Sequence, residues 1–269
     1  MNWISVVVSA VCGALGGVLA TLVVRDRKSK RGLYAAVFVV SAGLLFALGR
    51  VYVTPWLQAR YDASTLDSAL SSNAAFAAIK KFDPKVYDQM MSELRAGLLR
   101  GQGKAELIDL VRSQVTTLVQ KRLPHASDEA ASEYMRVMVR EMGELRQRGG
   151  DLCYRFLFAQ PGQGLDLSKY VSPSTVEADF AALSQVVRTS TVEPQPIPQQ
   201  AEVSERLKPV VAALAARYGQ DLALLQQPQA PGIDRDKLCA MSIDMYTVIL
   251  QLPPADSGKL IRFLMMGQG

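Results

Sequence analysis

Apolar residues come first as two unbroken runs and then settle into a helical rhythm. Trp3 to Val24 is a stretch of 22 residues without a charged side chain, and Leu33 to Gly49 is a second of 17. At about 1.5 Å of rise per residue the first run reaches about 33 Å, enough to cross a hydrocarbon core. The second spans if Val51 to Val53 extend it and Arg50 snorkels its guanidinium to the interface. Only Met1 and Asn2 precede the first run, which lacks the basic lead of a signal peptide. The residue before Cys12 is Val11, not the small residue that a lipoprotein site needs. The pattern predicts a two-helix transmembrane hairpin over residues 1–57, with its loop at 25–32.

Small residues mark the packing faces of that hairpin. Ser9, Gly13, Gly17 and Thr21 recur every fourth residue on the first helix, and Gly43 and Ala47 repeat the spacing on the second. Such rows let helices approach closely, within the hairpin or between copies in a homo-oligomer.

Beyond the hairpin the period is that of helices. A helix is expected from Ser64 through Leu66, Leu70, Phe76 and Ile79, after Pro55 and Trp56 end the second span. Asp83 and Pro84 open another to about Arg100, where Gly101 and Gly103 break it. Further helices are expected from Lys104 to Leu123 and from Ser127 to Arg148, the latter ended by Gly149 and Gly150. A short one follows from Asp151 to Phe158, then a loop over residues 160–173. The remaining helices run from Ser174 to Thr189, from Glu202 to Tyr218, from Asp234 to Leu252 and from Ala255 to the end. Alternating prolines over residues 193–200 remove backbone donors and favour polyproline II, so an exposed connector is expected there. It divides the domain near residue 195 if the two sides fold apart, but both sides are apolar enough to favour one core. No period-two alternation points to strands. The predicted fold is all-α: the hairpin, then a multi-helix extramembrane bundle over residues 58–269.

Charge decides which way this arrangement faces. Arg25, Arg27, Lys28, Lys30 and Arg31 crowd the hairpin loop beside a single acid, Asp26. By the positive-inside rule that loop is cytoplasmic, and the domain lies across the cytoplasmic (inner) membrane, in the periplasm of a diderm bacterium. Trp3 and Trp56 then fall at the same outer interface as aromatic anchors, with Tyr34 at the inner one. After residue 50 there remain 24 Lys/Arg against 24 Asp/Glu, so the net charge of +5 belongs to the hairpin. A domain without a basic excess argues against nucleic acid as a partner.

An outward-facing domain changes the reading of its two cysteines. Cys153 and Cys239 stand in the first turns of two apolar helices, and an even pair in an oxidising compartment suggests a disulfide. The alternative is two free cysteines acting as small buried hydrophobes.

Candidate chemistry is sparse. One histidine, His125, sits in an inter-helix loop and reads as a solvated residue; a histidine-rich metal site is excluded. No Walker A, GxGxxG, EF-hand or GxSxG pattern occurs. Glu129 with Glu133, and Glu141 with Glu144, share helix faces, but Arg136, Arg140, Arg146 and Arg148 interleave with them, so a solvated ion-paired face is expected. Nine methionines follow the hairpin and suit core filling, with a partner groove as the alternative. The apolar run Leu260 to Met266 either docks into the core or meets a partner. No catalytic, cofactor-binding or metal-ligating set stands out.

The expectation is a non-enzymatic, inner-membrane-anchored protein whose helical periplasmic domain binds a protein partner. An envelope or secretion assembly subunit fits, as does an immunity protein against a periplasm-acting toxin. The alternatives are a membrane-tethered enzyme acting on cell wall or lipid, and a regulatory module facing the cytoplasm.

Overall fold

The computed structural model describes residues 10–11, 47, 54–158 and 165–268. Every regular element among them is helical, and none of these helices is long and apolar enough to cross a membrane. Most of the expected hairpin lies outside the described residues, including Trp3, Ser9, Gly13, Gly17, Gly43, Arg25, Arg27, Lys28, Lys30 and Arg31. Ala47 is described and is helical and exposed.

The described helices are α1 (Thr54–Ser71), α2 (Ala74–Phe82), α3 (Pro84–Leu99), α4 (Lys104–Arg122), α5 (Asp128–Arg148), α6 (Gly150–Leu157), α7 (Pro173–Val192), α8 (Gln200–Tyr218), α9 (Arg235–Leu250) and α10 (Pro254–Leu264). Short 3₁₀ turns follow α4, α8 and α10 and precede α7. Pro55 and Trp56 lie inside α1 rather than ending a helix. The expected helix through Leu66 and Ile79 is instead two, because Asn73 caps α2 by accepting from the Ala75 amide at 3.0 Å.

The chain divides into two compact units, one taking in Met1–Leu66 with Arg95–Gly101, the other Asp67–Leu94 with Gln102–Gly269. The Pro-rich connector is not a boundary, since both sides of it belong to the second unit.

Helix α5 organises that second unit. Ser127 starts it by accepting from the Ala130 amide at 3.2 Å, and Asp128 and Glu129 in its first turn suit the positive end of the helix dipole. Its residues Ala131, Val137, Met142 and Leu145 are fully buried, and α6, α7, α9 and α10 pack directly against it. Helix α2 covers α7, with the Phe76 and Phe180 rings 6.3 Å apart. Helix α8 lies against α9 and α10. Met90, Met91, Met135, Met142 and Met241 are buried, so most of the methionine content fills core. The C-terminal run docks inward: Leu260, Ile261 and Arg262 are buried.

Candidate functional site

A cleft of about 420 Å³ opens where the C-terminal ends of α5 and α8 meet the start of α9. Arg146 comes from α5, Arg217 and Tyr218 from α8, and Asp236, Lys237 and Asp244 from α9, with Asp234 at its cap. Asp234 accepts from the Lys237 amide at 2.9 Å, which fixes where α9 begins. Gly150 then lets the start of α6 lie against it: a Cβ there would stand 2.8 Å from the Asp236 Cα. The same close approach brings Cys153 on α6 to Cys239 on α9. The two are joined in a disulfide with Cα atoms 6.0 Å apart, buried among Met142, Leu145, Leu165 and Val171.

The cleft is a set of interleaved opposite charges. Arg146 forks onto Asp236, Nε to Oδ1 at 3.0 Å and Nη2 to Oδ2 at 2.9 Å. That pairing holds the Asp236 carboxyl below its ordinary pKa and raises that of the guanidinium. Arg217 meets Asp244 at 2.6 Å, and the Tyr218 hydroxyl donates to the same carboxylate. Burial, then that carboxylate, pushes the Tyr218 hydroxyl up. Lys237 reaches Asp221 at 3.0 Å, which raises its ammonium pKa. Arg235 stacks over the Tyr154 ring at 4.7 Å and pairs with Asp151. Small-molecule pockets are mostly apolar with few polar groups, and this lining is the reverse. The cleft presents an exposed field of alternating charge.

The acidic pairs on α5 divide. Glu129 and Glu133 are exposed, and Glu133 pairs with Arg136, as a solvated face requires. Glu141 and Glu144 overturn that expectation. Glu144 accepts from the Ser172 amide at 2.6 Å, the Ser172 hydroxyl at 3.0 Å and the Thr175 hydroxyl at 2.7 Å. It therefore ties the start of α7 to α5, and these bonds lower its pKa. Glu141, one turn earlier, is 1% exposed, and its Oε1 has no hydrogen-bond partner among the described residues. Burial first, then the nearby Asp179 and Glu144 carboxylates, push its carboxyl up to about 9 against the pull of Arg112. Burial likewise lifts Asp179 to about 6 and the Tyr134 hydroxyl upward. Arg112 donates to the Phe156 carbonyl at 2.7 Å and lies over its ring at 5.7 Å. Spacing alone hid this cluster, because Glu141 shares its helix with the arginines that mark a solvated face.

His125 is not a solvated loop residue. It is half-buried in the 3₁₀ turn after α4, its Nδ1 is 3.2 Å from the Gln195 carbonyl, and its own carbonyl accepts from the Gln195 amide at 2.9 Å. No group of metal-binding side chains forms among the described residues. Compared with known proteins, the chain matches no family model, no curated protein and no solved structure.

Proposed function

We propose that this protein is a membrane-tethered adaptor: a transmembrane hairpin over residues 1–57 holds the helical domain on the periplasmic side of the inner membrane, where it binds a protein partner without catalysing a reaction. The observation that carries the reading is the Cys153–Cys239 disulfide, formed between helices far apart in sequence. Such bonds persist in oxidising compartments, and the basic cluster Arg25 to Arg31 independently orients the domain toward one. The field of paired charges around Arg146, Asp236, Arg217 and Asp244 supplies a surface suited to protein recognition. An assembly subunit of the envelope and an immunity protein against a periplasm-acting toxin both use such a surface.

The test counts thiols. Cells are quenched in acid, and the denatured protein is alkylated with a heavy maleimide, with and without prior reduction. The expected result is one adduct, at Cys12, without reductant and three with it. Three adducts without reductant place the domain in a reducing compartment and end the proposal.

A further inference from the structure

We infer that the connector from Pro194 to Gln199, together with Val192 and Glu193 at the end of α7, is a preformed docking ridge for a partner protein whose groove is lined by aromatic rings and rimmed by lysine or arginine. The inference rests on the partner-binding reading above and names one of its surfaces.

Three prolines at alternate positions, Pro194, Pro196 and Pro198, each fix φ near −65° and remove an amide donor. No helix or strand forms from Pro194 to Gln199. Gln199 closes the segment at φ −83°, ψ 147°, in the polyproline II region. A loop of this composition is ordinarily loose, yet this one is held from beneath. Buried Arg262 donates from Nη2 to the Pro196 carbonyl at 3.0 Å and from Nη1 to the Ala126 carbonyl at 3.1 Å. Gln195 exchanges its amide and carbonyl with His125 at 2.9 and 3.2 Å. Pro198 is buried, while Pro194 and Pro196 are exposed.

The apolar side chains left outside are Val192, Pro194, Pro196 and Ile197. Val192 is 64% and Ile197 39% exposed, on either side of the outward prolines. Strand addition onto this segment lacks donors, because one edge carries the three prolines and on the other the Glu193 and Gln195 amides are already given to the Thr189 and His125 carbonyls. A polyproline II ridge is read instead by aromatic rings packing between its projecting side chains, and its fixed backbone lowers the ordering cost of binding. The charge of the partner follows from Glu193, which is exposed and makes no ion pair among the described residues at the head of the ridge. A basic group on the groove rim complements it.

The test is site-specific photocrosslinking of the full chain in living cells, with benzoylphenylalanine at Ile197 or, separately, at Arg217 in the charged cleft. Adducts are mapped by mass spectrometry, and folding of each variant is checked by circular dichroism. The expected result is an adduct from position 197 that maps to a protein surface bearing Trp, Tyr or Phe with Lys or Arg beside it. With the probe moved to Val192, Ile197→Asp and Pro196→Ala are each expected to cut the adduct by roughly tenfold. An adduct from 217 and none from 197 overturns the ridge while leaving the partner-binding reading intact. No adduct from either site overturns both. Adducts that map to a second copy of this chain, or to a surface without aromatic residues, also overturn the ridge.

Discussion

Gly258 on α10 lies directly against Asp128 at the start of α5: a Cβ on Gly258 would stand 2.5 Å from the Asp128 carbonyl oxygen and closer still to its Cα and Cβ. The obstacle is backbone, which cannot swing aside as a side chain does. Ser132 and Ser257 meet at 3.3 Å along the same seam, and Arg262 approaches Asp128 one turn further on. Gly258→Ala is therefore expected to force α10 away from α5 and to cost about 3 kcal/mol or more. Gly143 on α5 is the control, because a Cβ there meets nothing within 4 Å. Gly143→Ala is expected to add about 0.5–1 kcal/mol by restricting the unfolded chain. Urea midpoints of the two variants on opposite sides of the parent value verify the argument; equal midpoints refute it.

The burial of Glu141 makes stability depend on pH. Its carboxyl holds a proton in the fold up to about 9, while in the unfolded chain it releases that proton near the ordinary value of 4.5. The folded state thus binds more protons across this window, and stability falls as pH rises through it. Asp179, lifted to about 6, adds in the same direction over the lower part. Glu141→Gln keeps the shape and removes the titration. It is expected to flatten the decline between pH 5 and 9 and to be more stable than the parent at pH 8. A parent protein whose midpoint rises with pH over this range contradicts the assignment.

Arg262 is the buried cation that ties three segments together. It serves the Ala126 and Pro196 carbonyls at once, and burial lowers its pKa. A lysine offers a compact charge without the planar fork and cannot place two donors in those directions. Arg262→Lys is expected to cost about 2–3 kcal/mol, since at least one buried carbonyl loses its donor. Amide exchange at Gln195 is the specific readout, because its bond to His125 depends on the connector staying in place. Faster exchange there than at the caps of α5 and α9 is the expected pattern.

Local signals made most of the helices legible in the sequence. Ser127 and Asp234 announced the starts of α5 and α9, and both cap them as their side chains imply. Pro84 opens α3 and the alternating prolines break the chain where their missing donors require. The start of α2 was missed because the apolar rhythm runs on past Asn73, and only the cap reveals the break. The cysteine pairing was also legible, as an even pair set in similar helical turns. The buried acid cluster was not. Whether a helical Glu faces water or core depends on which neighbours close over it, and Asp179 and Arg112 arrive from α7 and α4, which no local pattern links to Glu141. The cleft was equally hidden, since its charges come from three helices and read in sequence as ordinary solvated faces.

The disulfide supplies the last prediction, and its loop length sets the magnitude. Cys153 and Cys239 close a loop of 86 residues, which in the chain-entropy model removes about 4.5 kcal/mol of freedom from the unfolded state. Both sulfurs are fully buried beside Met142 and Leu145, so the fold shields the bond from reductant until it opens. The full chain, treated with reductant under native conditions, is expected to stay oxidised. In mild urea the same treatment is expected to unfold it cooperatively. The double replacement Cys153→Ala with Cys239→Ala is expected to lower the urea midpoint by more than Gly258→Ala does, while helical content below the transition is retained. Either single replacement is expected to lower it about as far, because the lone thiol that remains restores no loop. An unchanged midpoint in the double variant would show that α6 and α9 hold their places by packing alone.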